Sequence, residues 1–203
     1  MNKVIALPIE GKRPDSPISL EERDDDGLML MARAGVAQAF EILVKRHQRM
    51  VLVTAMKYLG NRQSAEDAAQ SSFVDLFRSL SSYRPEGKLR AFLATIVINN
   101  CRMTKRRERS EAGMRQDLVG LESPPAASPN HEDELQSRET QRLLDAALLT
   151  LSPKLREVLV LRYAAGLSHQ QIGDALGLRL GTVKSRLFAG VAKLGQALEA
   201  MEL

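Results

Sequence analysis

The sequence predicts an all-α protein of two small helical domains joined by a flexible acidic linker, the C-terminal one containing a helix-turn-helix. Three observations carry that expectation. Apolar residues recur at spacings of three and four along most of the chain, and no stretch alternates with the period of a strand. The composition is 44% hydrophobic but only 4% aromatic, with no Trp, which suits helices packed through Leu, Val, Ala and Met. The run ESPPAASPN at 122–130 cannot keep a regular structure, so it divides the 203 residues into two units that can each bury a modest core. The expected boundaries are a flexible tail over 1–25, a helical domain over 26–107, a linker over 108–134 and a helix-turn-helix domain over 135–203.

Residues 1 to 26 lack periodicity and end in EERDDD, where Asp26 is the expected cap of the first helix. A long second helix follows Gly35, with Val36, Ala39, Phe40, Leu43, Val44, Met50, Val51, Thr54 and Tyr58 on one stripe, and Gly60-Asn61 ends it. Ser64 is expected to open the third helix, with Asp67 in its first turn. Ala65, Ala69, Phe73, Leu76, Phe77 and Leu80 make its inner side. Asp67, Gln70, Ser71, Asp75 and Arg78 form an outer stripe that suits either plain solvation or docking of another protein.

SSYRPEGK at 81–88 reads as a loop, since Pro85 and Gly87 break the periodicity. The helix beyond it is expected to bury Leu89, Phe92, Leu93, Ile96, Val97 and Asn100, and to expose Arg90, Asn99, Arg102, Lys105 and Arg106. It closes on RMTKRRER. Basic side chains in a last turn also suit the helix dipole. Five of them between Arg102 and Arg109 exceed that need and point to phosphate contact.

Helical spacing resumes at Leu135 and passes through Leu143, Leu144, Ala147, Leu148 and Leu151. Ser152-Pro153 starts another helix, with Pro where its missing N–H costs nothing, and Leu155, Val158, Leu159 and Tyr163 lead on to the helix-turn-helix. The most informative stretch is GLSHQQIGDALGLRLGTVKSRLFAGVAKL, residues 166–194. Ser168 and Gln171 form a capping box, with Leu167 and Ile172 at the staple positions, and Gly177 provides the left-handed stop. Thr182 is expected to cap the next helix, in which Val183, Leu187, Val191, Leu194 and Leu198 pack inward. Thr182, Ser185, Arg186 and Ala189 then face outward, flanked by Lys184, as a reader of major-groove base edges requires.

Charge is distributed in blocks. Residues 27–107 hold fourteen basic and five acidic side chains, and 141–203 hold eight and five, whereas 108–140 hold three and eight. Two basic blocks separated by an acidic connector suit two surfaces meeting one polyanion. The start, MNKVIALPIEGKRPDS, has too short an apolar run for a signal peptide, and no span is long enough to cross a membrane, so a cytoplasmic protein without membrane insertion is expected. Cys101 is the one cysteine and His47, His131 and His169 lie far apart, so no disulfide, metal site or cofactor is expected. No phosphate-binding glycine loop or nucleophile-base pair appears, which argues against an enzyme.

GTVKSRL, preceded by LSPKLREVLVLRYAAGLS, resembles the promoter-binding C-terminal domain of bacterial RNA polymerase sigma factors, especially the extracytoplasmic-function (ECF) group. GVAQAFEILVKRH and SAEDAAQSSFVDLF resemble that group's GD..AF..L and AED..Q..F patterns, and FLATIVINNCRMTKRR resembles its segment contacting the minus-ten promoter element. The likeness runs nearly from Asp26 to Leu198. It implies that Asp67, Gln70, Ser71, Phe73, Val74, Asp75 and Phe77 bind core RNA polymerase. It implies DNA contacts by Asn99, Asn100, Arg102, Lys105, Arg106 and Arg107 in the first domain, at the minus-ten element. In the second domain it implies contacts at the minus-thirty-five element by Arg179, Thr182, Lys184, Ser185 and Arg186. The SSYRPEGK loop stands where the family captures an unstacked base, and an anti-sigma factor is the implied regulator. The chain departs from the family pattern at Phe92 for Trp, Met103 for Asp, Ser71-Ser72 after the Gln, Gly173 for Ala, and Ala189-Gly190 for Arg-Ala. Two rival functions remain open on the residues alone: a stand-alone helix-turn-helix regulator binding an operator, and a decoy module that imitates such a factor without touching DNA.

Overall fold

A computed structural model describes residues 19–114 and 132–201. The expected tail up to residue 18 and most of the expected linker, residues 115–131, lie outside the described residues. Eight α-helices and one 3-10 turn, Leu20–Glu22, make up the described residues, which contain no strand.

Four helices form the N-terminal half: α1 (Asp25–Arg33), α2 (Ala37–Leu59), α3 (Arg62–Arg78) and α4 (Leu89–Met114). Asp24, rather than Asp26, caps α1 by accepting the Gly27 N–H at 2.8 Å, because two further acidic residues then occupy the positive first turn. Residues 20–22, assigned to the tail from sequence, are tied to α2, since Arg46 Nη2 donates to the Glu21 carbonyl at 2.6 Å. The α2 helix ends where Gly60 takes the left-handed conformation, as its sequence predicts. Asn61 then caps α3 by accepting the Ser64 N–H at 2.9 Å, so the helix starts a turn earlier than expected and Ser64 instead donates its hydroxyl to Glu108 on α4. The core of this half is Leu28, Leu43, Val51, Ala55, Leu76, Leu93, Val97 and Cys101, all fully buried.

The C-terminal half contains α5 (Glu132–Thr150), α6 (Pro153–Tyr163), α7 (His169–Leu176) and α8 (Leu180–Glu199). Pro153 sits at the first position of α6 as expected. Burial of Arg156 through Leu161 fills almost the whole girth of this helix, and Tyr163 at its end is exposed. The α7 helix has both arms of the predicted capping box, with Gln171 N to Ser168 Oγ at 3.2 Å and Ser168 N to Gln171 Oε1 at 2.9 Å. Its stop at Gly177 is left-handed, also as predicted.

Thr182 does not cap α8. The helix begins at Leu180 after Arg179, so Thr182 is already inside its first turn and its carbonyl accepts from Ser185. The inner face is Val183, Leu187 and Gly190, while Val191 is about half exposed. A Cβ on Gly190 would lie 3.1 Å from Leu159, so the bare glycine lets α8 settle on α6 by that face and turns Val191 outward.

The halves do not stand apart. α5 and α6 pack on α2, and α7 packs on α4, so their buried side chains merge into one core. Polar bonds cross the same seam. Lys57 pairs with Asp145, Arg90 Nε donates to the Ala165 carbonyl at 2.8 Å, and Arg102 binds Glu157 through two 2.7 Å bonds.

Candidate nucleic-acid and polymerase interfaces

On α3 the sequence places Asp67, the adjacent pair Gln70 and Ser71, Val74 and Phe77 at steps of three, and all five side chains are exposed along one face. Phe77 was expected inside, yet it is 57% exposed; its ring meets Phe40 edge-on at 5.2 Å, so one edge packs while the other stays in water. Phe73, by contrast, is half-buried against the core, and Asp75 turns toward α4, where it accepts from Asn100 Nδ2 at 3.0 Å. The face that remains mixes an acid, two amide or hydroxyl groups and two apolar side chains, the chemistry of a protein-docking stripe rather than of a phosphate site.

The α4 helix carries the first basic block. Arg106 and Arg107 are exposed, the latter paired with Glu111 at 2.8 Å, and Lys105 pairs with Glu108 at 2.9 Å. Asn99 is exposed and accepts from Arg102 at 3.2 Å. Two residues for which the resemblance implies DNA contact are engaged within the protein instead. Asn100 is buried and donates to Ser72 Oγ and Asp75 Oδ2, because it lies on the face that α4 turns to α3. Arg102 is held by the Glu157 carboxylate, whose hydrogen bonds push the guanidinium pKa up.

Between α3 and α4 the expected loop is present, and it is more constrained than its sequence suggests. Tyr83 is buried with its ring tilted 54° against Phe92 at 5.7 Å, and Phe92, expected inside, is partly exposed. The Tyr83 hydroxyl donates to Asp26 Oδ1 at 2.6 Å and the Gly87 N–H to Asp26 Oδ2 at 2.7 Å. Burial, with the Asp26 carboxylate, pushes the Tyr83 phenol well above its usual range, so it stays a proton donor. A 410 Å³ cavity opens beside it, walled by Tyr83, Arg84, Phe92 and Thr95 of this half and by Gln171 and Asp174 of α7. Asp26 anchors this loop, a contact that the sequence did not reveal. Its signal, three consecutive aspartates before one helix, reads first as a choice of cap.

In the helix-turn-helix, Arg179, Lys184 and Ser185 are exposed, and Thr182 and Arg186 are half-buried at the same N-terminal end of α8. The structure therefore gathers all five expected residues. Ala189, expected outward, is half-buried, and the fully outward position is taken by Phe188, 81% exposed, which sequence reasoning passed over. Hydrogen-bonding and cationic side chains at one exposed helix end are what groove recognition uses. Cys101 is buried with its thiol pushed up to about 12 by burial, an inert core residue. No cluster of three potential metal ligands occurs among the described residues, and none of their helices is long and apolar enough to cross a membrane.

Residues 43–111 match the family described as Sigma-70 region 2, and residues 141–194 match Sigma-70, region 4. The chain is 34% identical over 156 residues to the ECF RNA polymerase sigma factor SigE of Mycolicibacterium smegmatis, covering 77% of this chain and 60% of that protein. It is 33% identical over 173 residues to the RNA polymerase sigma factor CarQ of Myxococcus xanthus, covering 84% of this chain and 95% of that one. Among solved structures, CnrH in complex with the cytosolic domain of CnrY superposes with a TM-score of 0.65 at 25% identity, covering 87% of this chain and 97% of CnrH. Bartonella quintana RpoE, solved with the anti-sigma factor NepR, shares the fold with a TM-score of 0.62 at 24% identity, covering 79% and 96% of the two chains. The first match spans α3 and most of α2 and α4, and the second spans α6, α7 and most of α8 together with the second half of α5. Together with the identity to CarQ and to the ECF factor SigE, they establish that the chain belongs to the ECF family of RNA polymerase sigma factors, which direct transcription initiation.

Proposed function

We propose how this sigma factor divides its work among its surfaces. The exposed α3 face, Asp67, Gln70, Ser71, Val74 and Phe77, docks on core RNA polymerase, with Phe73 and Asp75 supporting it from behind. Asn99, Lys105, Arg106 and Arg107 meet the backbone of the minus-ten element, and Arg179, Thr182, Lys184, Ser185 and Arg186 meet the minus-thirty-five element. The domains are the helical unit through Arg107 and the helix-turn-helix unit from Leu135. The protein acts by binding and not by catalysis, in the cytoplasm where polymerase and promoter are found.

The observation that carries this reading is the exposed α3 stripe, which a stand-alone operator-binding regulator does not need. Arg102 joins the DNA-facing set once Glu157 releases it, so engaging two promoter elements requires the two halves to part. An anti-sigma protein is the expected regulator. CnrH is bound by the cytosolic domain of CnrY, and this chain offers an apolar groove between its halves, lined by Val53, Leu144, Leu148, Tyr163, Val191 and Leu194.

The test is run-off transcription by purified protein and core polymerase on a library of promoter fragments. Transcripts should start at shared two-element sites, vanish with Asp67→Arg through lost core binding, and vanish with Arg106→Glu/Arg107→Glu through lost DNA binding. Duplex binding without core binding or initiation would instead make the protein an operator-binding regulator.

A further inference from the structure

We infer that Asp26 is the positioning residue of the 79–88 loop, holding it in the shape that receives the unpaired promoter strand; this rests on the initiation function proposed above. Three aspartates stand at the start of α1, and each has a separate partner. Asp24 caps the helix, Asp25 binds Arg46 and His47, and Asp26 is left to reach across to a loop 57 and 61 residues further along the chain. Its two oxygens take two different donors. Oδ1 accepts the Tyr83 hydroxyl and Oδ2 the Gly87 N–H, both at under 2.8 Å, the short distances of charge-assisted bonds.

One carboxylate therefore pins both ends of the segment Tyr83-Arg84-Pro85-Glu86-Gly87. Pro85 fixes one torsion within it and Gly87 takes a φ of 66° at its end, so little freedom is left to the three residues between the pins. The chemistry displayed on the held loop is that of single-strand binding. Tyr83 and Phe92 form an aromatic wall of the cavity, and Arg84 and Lys88 also line it, Lys88 paired with Glu86 at 3.0 Å and Asp174 of α7 on the far side, so Arg84 is the cation left beside the stacking surface. Asp26 itself, bonded to two donors on the loop's inner side, organises this surface without needing to touch a nucleotide. Without it the Tyr83 hydroxyl would lose its acceptor in a buried setting, and the loop tip would regain the freedom that must be lost again on binding.

The experiment uses the full chain with core polymerase on a promoter found by run-off. It measures core affinity, binding of the intact duplex, and permanganate reactivity of unpaired thymines, at a temperature where variant and wild type have the same helical circular dichroism. Asp26→Ala should bind core and duplex within about twofold of wild type yet lose about tenfold in thymine reactivity, the scale of two charge-assisted bonds acting only on the ordered loop. Tyr83→Phe, which keeps the ring and removes one bond, should lose about threefold, and the isosteric Asp26→Asn should fall between them. Wild-type opening by Asp26→Ala, or core binding and opening lost in equal proportion, would overturn this inference alone. If the wild-type holoenzyme opened no promoter at all, the initiation reading would fall and take the inference with it.

Discussion

Arg102 and Glu157 lie 55 residues apart and join the two halves of the molecule by a forked pair, Nε and Nη2 each donating to one carboxylate oxygen at 2.7 Å. Tyr58 adds its hydroxyl to the same carboxylate at 3.2 Å, and the Glu157 side chain is almost wholly buried. Glu157→Gln keeps the shape but cannot accept two bonds from the fork, which should weaken the seam by about 1–2 kcal/mol. The free variant should show a larger radius of gyration in solution scattering and bind promoter fragments severalfold more tightly than wild type. An unchanged scattering profile with unchanged binding would show that this pair does not hold the halves together.

Arg156 is buried and spends its guanidinium on carbonyl oxygens: Leu148, Leu149 and Leu151 at the end of α5, and Tyr58 at the end of α2. It closes two helix ends whose last carbonyls lack the donor four residues on that a continuing helix would supply. Burial lowers its pKa, yet the group stays a cation at any pH the fold survives. Arg156→Lys supplies a point charge where a planar fork is needed, so it should destabilise by roughly 2–3 kcal/mol and fail to rescue Arg156→Ala. Urea unfolding of both variants gives the comparison, and a Lys variant as stable as wild type would show that charge alone suffices.

Gly173 stands within α7, where helix propensity alone favours Ala by about 1 kcal/mol. A Cβ there would lie 2.8 Å from the Leu178 carbonyl oxygen, which belongs to the turn backbone and cannot rotate away. Overpacking of this kind costs about 1–3 kcal/mol, so Gly173→Ala should be net destabilising and should weaken duplex binding by disturbing the angle between α7 and α8. Thermal melting decides the sign, and a rise in Tm would refute the packing argument.

Asp25 is held below its ordinary value of 3.8, chiefly by the hydrogen bond from His47 at 2.7 Å and further by Arg46, with burial opposing. A depressed folded-state pKa means that the stabilisation is fully present above about pH 4 and is lost as pH falls through the folded value. Measured against Asp25→Asn, the extra stability that wild type has at pH 5 should shrink as the pH is lowered toward 3. A difference that does not change with acid would mean the pair contributes nothing through charge.

The helical class, both arms of the capping box at Ser168, the stops at Gly60 and Gly177 and the outward placing of Asp67, Gln70 and Ser71 on α3 were all legible in the sequence. Each depends on residues three or four apart on one helix, where spacing by itself decides who meets whom. Helix starts were less legible. Asp24 outcompeted Asp26, and Asn61 outcompeted Ser64, because several good caps stood within one turn and tertiary packing chose among them.

Tertiary structure alone decided what crosses between helices. It buried Asn100 against α3, paired Arg102 with Glu157, sent Asp26 to the loop, and turned Val191 outward because Gly190 lies against Leu159. Basic residues on α4 look alike in sequence, and nothing in their spacing says which one will face a carboxylate on a helix fifty residues away. That choice follows from how two whole domains pack, a relation between distant segments that no local pattern of charge or hydropathy encodes.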